Sequence, residues 1–238
     1  MSRYYKVMED IHPDSSHAVV LLSGGLDSAT VAACLKQKGI RVTALSVDYG
    51  QRHSVELDAA RYIAEALQVE HHYVTKLDMN LFQGSALTDK EIGVPKGKSI
   101  SENVSGDIPV TYVPARNTIF LSLGLGLAES LNANCLGIGV NALDYSGYPD
   151  CRPEFVQKFS ELSILATKSG VEGNPIRIYT PLLNMKKLEI LRLADKLGVP
   201  IERTVSCYDP LPSGSSCALC DSCRLRLQAE QEWKEAKQ

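Results

Sequence analysis

Ser23-Gly24-Gly25-Leu26-Asp27-Ser28 is the stretch best equipped for chemistry. Gly24 and Gly25 lack a Cβ, so an anion can approach the backbone closely. Ser23 and Ser28 add hydroxyl donors. A second group, Cys207, Cys217, Cys220 and Cys223, is spaced C-x9-C-x2-C-x2-C. Two overlapping C-x-x-C turns point three thiolates at one centre, and Cys207 closes a tetrahedron, which is a four-cysteine structural zinc pattern. Protein would fill all four positions, so the ion has no open site for catalysis. A disulfide pair or a redox C-x-x-C is the alternative.

These residues need elements to hold them. Val19 to Leu22 is a four-residue apolar run that reads as a buried parallel strand. Ser-Gly-Gly turns the chain, and Asp27-Ser28 opens an apolar run to Leu35 that reads as a helix. A helix start carries unpaired N–H groups and the positive end of the macrodipole, so the turn is a phosphate cradle. An ordinary βα turn rich in small residues is the plain alternative. The whole string resembles the SGGxDS signature of the PP-loop ATP pyrophosphatases at every fixed position. That resemblance implies a loop that holds the β- and γ-phosphates while ATP is cut to AMP and pyrophosphate. It places Asp27 beside the phosphates, helping to hold Mg²⁺. The implied nucleotide site covers Leu21, Leu22, Ser23, Gly24, Gly25, Leu26, Asp27, Ser28, Ala29, Thr30 and Val31. A Walker loop at Gly97-Lys98-Ser99 fails, because Ile92 stands where the first glycine belongs.

Further along, 40–47 reads as a second strand, 55–67 as a helix with apolar residues at helical spacing, and 71–75 as a short strand. Later helices are expected over 118–129, 154–167 and 186–197, and strands over 135–140 and 176–182. The β-α-β-α-β order predicts an α/β fold: a doubly wound, mainly parallel sheet with helices on both faces. Residues 1–17 read as a flexible lead-in and 18–200 as the nucleotide-binding domain. Residues 78–114, poor in periodicity, read as a partly mobile flap. Residues 201–238 read as a small cysteine-bearing module and tail.

Loops at the carboxyl ends of parallel strands flank one cleft. Asp48-Tyr49-Gly50-Gln51-Arg52-His53 follows the second strand; backbone near Val47 and Asp48 would meet adenine, and Arg52 a phosphate or a carboxylate substrate. A solvated turn is the alternative. Arg116-Asn117 stands at a helix start, with Asn117 a candidate N-cap and Arg116 able to fork onto phosphate oxygens. A capping asparagine beside a surface arginine is the alternative. The loop from Asn141 to Arg152 is dense in donors, acceptors and aromatics, as a small planar polar substrate requires. Asp144 and Asp150 could pair with the amidine-like face of a purine analogue. Cys151 could be a nucleophile, but no base is identifiable beside it, and buried packing is the commoner role. Thr180-Pro181-Leu182 followed by Lys187 and Glu189 resembles a segment of the same superfamily, which implies that Lys187 reaches toward the phosphates; an exposed helix lysine is the alternative.

The net charge of −3 argues against broad binding to nucleic acid. No apolar run reaches the roughly 18 residues of a membrane helix, and Met1 to Lys6 has no apolar h-region. Seven cysteines are an odd number, and four cluster near the C-terminus, which suggests metal in a reducing compartment. A cytoplasmic protein is expected.

SGGLDS, VDYGQRH, YVPARN, GVNALDYSGYPDCRPEF, TPLLNMKKLEI and the four cysteines occur in the order seen in the 7-cyano-7-deazaguanine synthase family. The resemblance spans Val19 to Cys223; the phrase Ser146 to Pro153 and the cysteine tail narrow it to this family. It implies an ATP-dependent carbon–nitrogen ligase of queuosine precursor synthesis, with 7-carboxy-7-deazaguanine, ATP with Mg²⁺ and ammonia as substrates. Adenylation of the acid, displacement of AMP by ammonia, and a second activation of the amide would leave the nitrile. Asp27, Lys187 and Arg116 are the implied catalytic residues. Arg52, Asn117, Asn141, Asp144, Tyr148, Asp150 and Arg152 are the implied substrate residues. One structural Zn²⁺ per chain would sit on Cys207, Cys217, Cys220 and Cys223. A homodimer through the apolar Ile119–Leu127 helix is expected, with no nucleic acid and no membrane partner. Another PP-loop enzyme, such as a tRNA thiolase or lysidine-type ligase, and a non-enzymatic nucleotide-binding module are the rivals. The net charge speaks against the first, and an intact Asp27 with its polar loop against the second.

Overall fold

The computed structural model describes residues 15–50, 55–79, 81–97, 108–141 and 147–236. Strand β1 (His17–Leu21) has its first four residues buried. Successive side chains point to opposite faces of a strand. Ala18 and Val20 therefore join one hydrophobic core and Val19 the other. Burial on both faces explains the unbroken apolar run, which is the mark of a parallel strand. β2 (Arg41–Asp48), β3 (His71–Lys76), β4 (Cys135–Gly137) and β5 (Arg177–Tyr179) complete a parallel sheet of order β3-β2-β1-β4-β5.

The helices are α1 (Leu26–Gln37), α2 (Val55–Ala66), α3 (Arg116–Ser130), α4 (Pro153–Ala166), a single turn α5 (Lys168–Val171), α6 (Lys187–Lys196) and α7 (Asp221–Glu235). On one face, α1, α2 and α6 bury Val31, Leu35, Ile63, Ile190 and Leu191 with Val20, Val42 and Ala44. On the other, α3 and α4 bury Leu121, Leu125, Val156 and Phe159 with Val19, Leu136 and Ile178. The expected doubly wound α/β architecture is the one observed.

Strand order reverses between β1 and β4, and ligand crevices form at such switch points. Val20 lies opposite Ala44 on one side and Gly137 on the other. The loops that follow β1 and β4 are thus neighbours. Gly139 makes their contact possible: a Cβ there would sit 2.9 Å from the Ser28 amide nitrogen and 3.0 Å from the Asp27 carbonyl carbon.

Several expectations need correcting. His17, assigned to the lead-in, opens β1, while residues 1–14 lie outside the described residues. α3 begins at Arg116, and its N-cap is Ala115 with φ 54°, so Asn117 is not the cap. The cysteine module ends in a 15-residue helix, α7, packed on α6. The described residues of 78–114 have little regular structure yet are packed. Ala86 and Val94 join the cysteines in one core, and Met79, Leu87 and Val113 pack with Val47 and Tyr49 in another. Lys96 bridges to Cys220 as an isolated antiparallel pair and its ammonium meets Asp209 at 2.9 Å.

Candidate active site

The loop between β1 and α1 is folded by its own hydroxyls. Ser28 Oγ accepts from the Ser23 N–H at 3.2 Å and donates to the Gly25 carbonyl at 3.1 Å. Ser23 Oγ lies 3.0 Å from Ser28 Oγ and accepts from the Gly25 N–H at 3.3 Å. Gly24 has φ +83°, and a Cβ there would stand 2.2 Å from the Glu56 carbonyl oxygen. Only glycine combines that backbone with that contact. Behind the loop, Gly25 is the N-cap of α1, with no side chain filling the cap. Its helix start therefore keeps amide donors for an anion.

Asp27, in the first turn of α1, is clamped from two elements. The Lys187 ammonium, at the first residue of α6, donates to both carboxylate oxygens at 2.8 and 2.7 Å. Asn141 Nδ2, after β4, donates to Oδ2 at 3.0 Å. The pair is about one-fifth exposed (21% for Asp27, 18% for Lys187), so it stands at the edge of the cleft and not in the core. Lys187 is thus brought to the loop, and Asn141 braces Asp27.

These elements enclose a cavity of ≈ 270 Å³. Ser23, Gly25, Asp27 and Ser28 of the glycine loop form one end, and Tyr49, Phe120, Tyr148 and Arg116 line an aromatic and cationic wall. The Arg116 guanidinium stands 5.8 Å from the Tyr49 ring centroid. Tyr148 stacks with Tyr112 at 6.2 Å between centroids, and its hydroxyl meets Thr111 Oγ1 at 2.8 Å. Burial pushes the Tyr49 phenol up to about 12, so it keeps its proton. Glu56 also lines the cavity. Burial pushes its carboxyl up to about 7, against the lowering effect of Arg116.

Asn117 and Asp150 turn out to serve each other. Asp150 Oδ2 accepts from the Asn117 N–H at 2.9 Å, so a carboxylate from another loop caps the positive end of α3. Asn117 Nδ2 donates to the Asp150 carbonyl at 3.1 Å and to Cys151 Sγ at 3.0 Å. Asn117 and Cys151 line the cavity, and Asp150 is buried behind them.

Not every expected residue reaches the cleft. Ala29 and Val31 are core residues under the loop, and Thr30 Oγ1 is spent on the Leu26 carbonyl at 2.7 Å. Asp48 uses its carbonyl to accept from Leu77 N–H at 2.8 Å, while its neighbours Val47 and Tyr49 line the cavity. Arg152 is exposed at the N-cap of α4 and away from the lining. Arg52 and Asp144 lie outside the described residues. Sequence reasoning did not single out Glu56, Phe120, Val205 or Tyr208, all of which line the cavity. An acid in the first turn of a helix reads as a dipole partner, and a lone Phe reads as core, so neither carried a signal.

The four cysteines form a second centre. All are buried, and their sulfurs lie within 4.8 Å of one another. Backbone N–H groups of Cys217 and Cys220 donate to Cys207 Sγ and Cys217 Sγ at 3.2 and 3.3 Å. Gathered thiols with amide donors aimed at them suit a thiophilic divalent cation, whose charge offsets that of clustered thiolates. The Val205 N–H donates to the Gly24 carbonyl at 2.9 Å, two residues before Cys207. The cysteine cluster is therefore tied to the glycine loop through the backbone.

The sheet order, the glycine turn after β1 and the amide-rich start of α1 define a PP-loop nucleotide-binding protein. Residues 17–234 match the family model described as "Queuosine biosynthesis protein QueC", and the chain belongs to that family. It is 58% identical over 214 residues to a protein of Novosphingobium aromaticivorans called 7-cyano-7-deazaguanine synthase, covering 90% of this chain and 89% of the relative. A relative of the same name from Anaeromyxobacter dehalogenans is 55% identical, with 90% of each covered. Among solved structures, an NMN synthetase from Francisella tularensis shares the fold, with a TM-score of 0.51 at 16% identity over 98% of this chain and 92% of that one.

Proposed function

We propose that this chain is an ATP-dependent ligase that converts 7-carboxy-7-deazaguanine and ammonia to 7-cyano-7-deazaguanine through adenylated intermediates. The observation that carries the reading is the family match over residues 17–234 with the SGGLDS loop open to the cavity. Amides of the loop and of the α1 start would hold the β- and γ-phosphates, neutralising charge that grows as pyrophosphate leaves. Asp27 would help to hold Mg²⁺, which would free Lys187, now on its carboxylate, to reach the phosphates; Arg116, which lines the cavity, would bind the carboxylate while it captures the α-phosphorus. The Tyr49, Phe120 and Tyr148 rings suit a flat deazapurine. Loss of pyrophosphate leaves the acyl-adenylate, ammonia displaces AMP to give the amide, and a second ATP activates the amide oxygen. Departure of the second AMP leaves the nitrile. Cys207, Cys217, Cys220 and Cys223 would hold a structural zinc that takes no part in these steps. The reading extends to a cytoplasmic homodimer through α3, whose Leu123 is 37% exposed, and to small-molecule partners without nucleic acid.

The test is mass spectrometry of the products formed from the acid, ammonia and Mg·ATP. Nitrile with AMP and pyrophosphate is the expected outcome; ADP, or pyrophosphate release driven by tRNA and not by the acid, would overturn the reading.

A further inference from the structure

The proposed reaction needs a group that no residue given a role so far supplies. Near neutral pH ammonia arrives mostly as ammonium, which has no lone pair. A proton must leave before the nitrogen attacks the acyl-adenylate, and another as the amide forms. Two carboxylates line the cavity among the described residues, Asp27 and Glu56. Asp27 is taken by Lys187 and Asn141. The Tyr49 phenol, held up to about 12, is no base at neutral pH. Cys151 accepts from Asn117. Glu56 makes no hydrogen bond or ion pair among the described residues. Its carbonyl abuts Gly24, which fixes its backbone against the glycine loop.

We propose that Glu56 is the catalytic base that takes the proton from the nitrogen nucleophile in the cavity between the phosphate loop and Arg116. The proposal rests on the ligase reading above. An N–H bond of ammonium breaks and its proton passes to the Glu56 carboxylate. The freed lone pair forms the C–N bond at the activated carboxyl carbon. The C–O bond to AMP breaks, and AMP leaves with its electron pair. The second proton passes from the nitrogen to solvent as the amide forms, and Glu56 then returns its own to solvent. In the second cycle the amide nitrogen gives one proton to solvent as ATP activates its oxygen, and the same carboxylate takes the last N–H proton as the C–O bond breaks, AMP leaves with its electron pair and the C≡N bond closes. The groups facing Glu56 among the described residues are Arg116 of α3 and Tyr49 after β2. Burial holds its proton affinity near neutrality, at about 7, where a general base works best.

Two assays on E56Q, E56D and the parent protein decide the matter. Acid-dependent exchange of pyrophosphate into ATP reads adenylation and needs no nitrogen source. Nitrile formation reads the whole reaction. For E56Q, exchange stays within about threefold of the parent, while kcat/KM for ammonia falls by roughly 10²–10⁴ at neutral pH. The parent's kcat/KM for ammonia rises through a pKa near 7, and E56Q loses that step. Hydroxylamine, already neutral in neutral solution, restores E56Q to near the parent rate, and E56D recovers part of the ammonia rate. An unchanged ammonia profile in E56Q would overturn the proposal. So would a parallel loss of exchange, or a raised KM for the acid alone, which would make Glu56 a reader of the deazapurine. If the parent itself gives neither exchange nor nitrile, the ligase reading fails first.

Discussion

Gly24 carries two constraints in one residue. Its φ of +83° lies in the left-handed region, and a Cβ would collide with the Glu56 carbonyl at 2.2 Å and the Ala60 amide at 2.8 Å. Gly24→Ala is expected to destabilise the fold by at least about 3 kcal/mol, read by urea denaturation, and to abolish nucleotide binding. Asp27→Asn keeps the volume and removes the charge. Pyrophosphate release should fall on the order of 10²-fold, with little change in Tm, because the ion pair with Lys187 is partly solvated. Glu56 gives a pH signature of its own. Its folded pKa of about 7 exceeds the ordinary value of about 4.3, so the folded state binds the proton more tightly. Its contribution to stability is therefore full below about pH 4.3 and is lost as pH rises through about 7. E56Q should gain stability relative to the parent between about pH 5 and about pH 8, on the order of 1–3 kcal/mol in urea titrations. At this scale the loop was readable, since Ser23 and Ser28 act on their immediate neighbours and two adjacent glycines mark the turn. The base was not, because nothing in sequence distinguishes Glu56 from Asp58 in the same first turn.

The elements were legible where periodicity is strong and local. β1, β2, α1 and α2 announce themselves through apolar runs and helical spacing, and the parallel order follows from their alternation. α3 was found but its start was misplaced, because its cap is the Asp150 carboxylate, 33 residues away. A tertiary partner of that kind leaves no local trace, and Asn117 beside it looked like a cap. Asp150→Ala should cost about 1–2 kcal/mol in thermal or urea unfolding, by removing the acceptor at the positive end of α3. Because Arg116 is the first residue of that helix, the KM for the acid should rise as well. α7 stayed hidden for a different reason. Its buried residues are Cys223 and Ala229, too few to draw an apolar stripe. Arg226 instead ties it down, donating to the Thr204 and Ile201 carbonyls at 2.8 and 2.7 Å.

Across the whole molecule, the phosphate loop, the aromatic wall and the cysteine centre form one assembly. Val205 joins the loop to the centre through Gly24, and Tyr208 beside Cys207 lines the cavity. A structural zinc is worth on the order of 10 kcal/mol of apparent folding free energy, so its loss should be felt at the nucleotide site. Metal analysis is expected to find one zinc per chain, and chelation to lower both Tm and ATP affinity. The cysteine spacing alone made this centre readable; its junction with the loop was not, since it rests on one backbone hydrogen bond between residues 181 positions apart (Gly24 and Val205).

Capture of AMP by a carboxylate oxygen of the substrate, at this loop, underlies every later step of the proposed reaction. It is tested most directly with 7-carboxy-7-deazaguanine labelled with ¹⁸O in the carboxylate, incubated with Mg·ATP and ammonia, with mass spectrometry of the released nucleotide. AMP carrying ¹⁸O beside an unlabelled pyrophosphate is the expected outcome. Unlabelled AMP, or ADP with the label in inorganic phosphate, would contradict it.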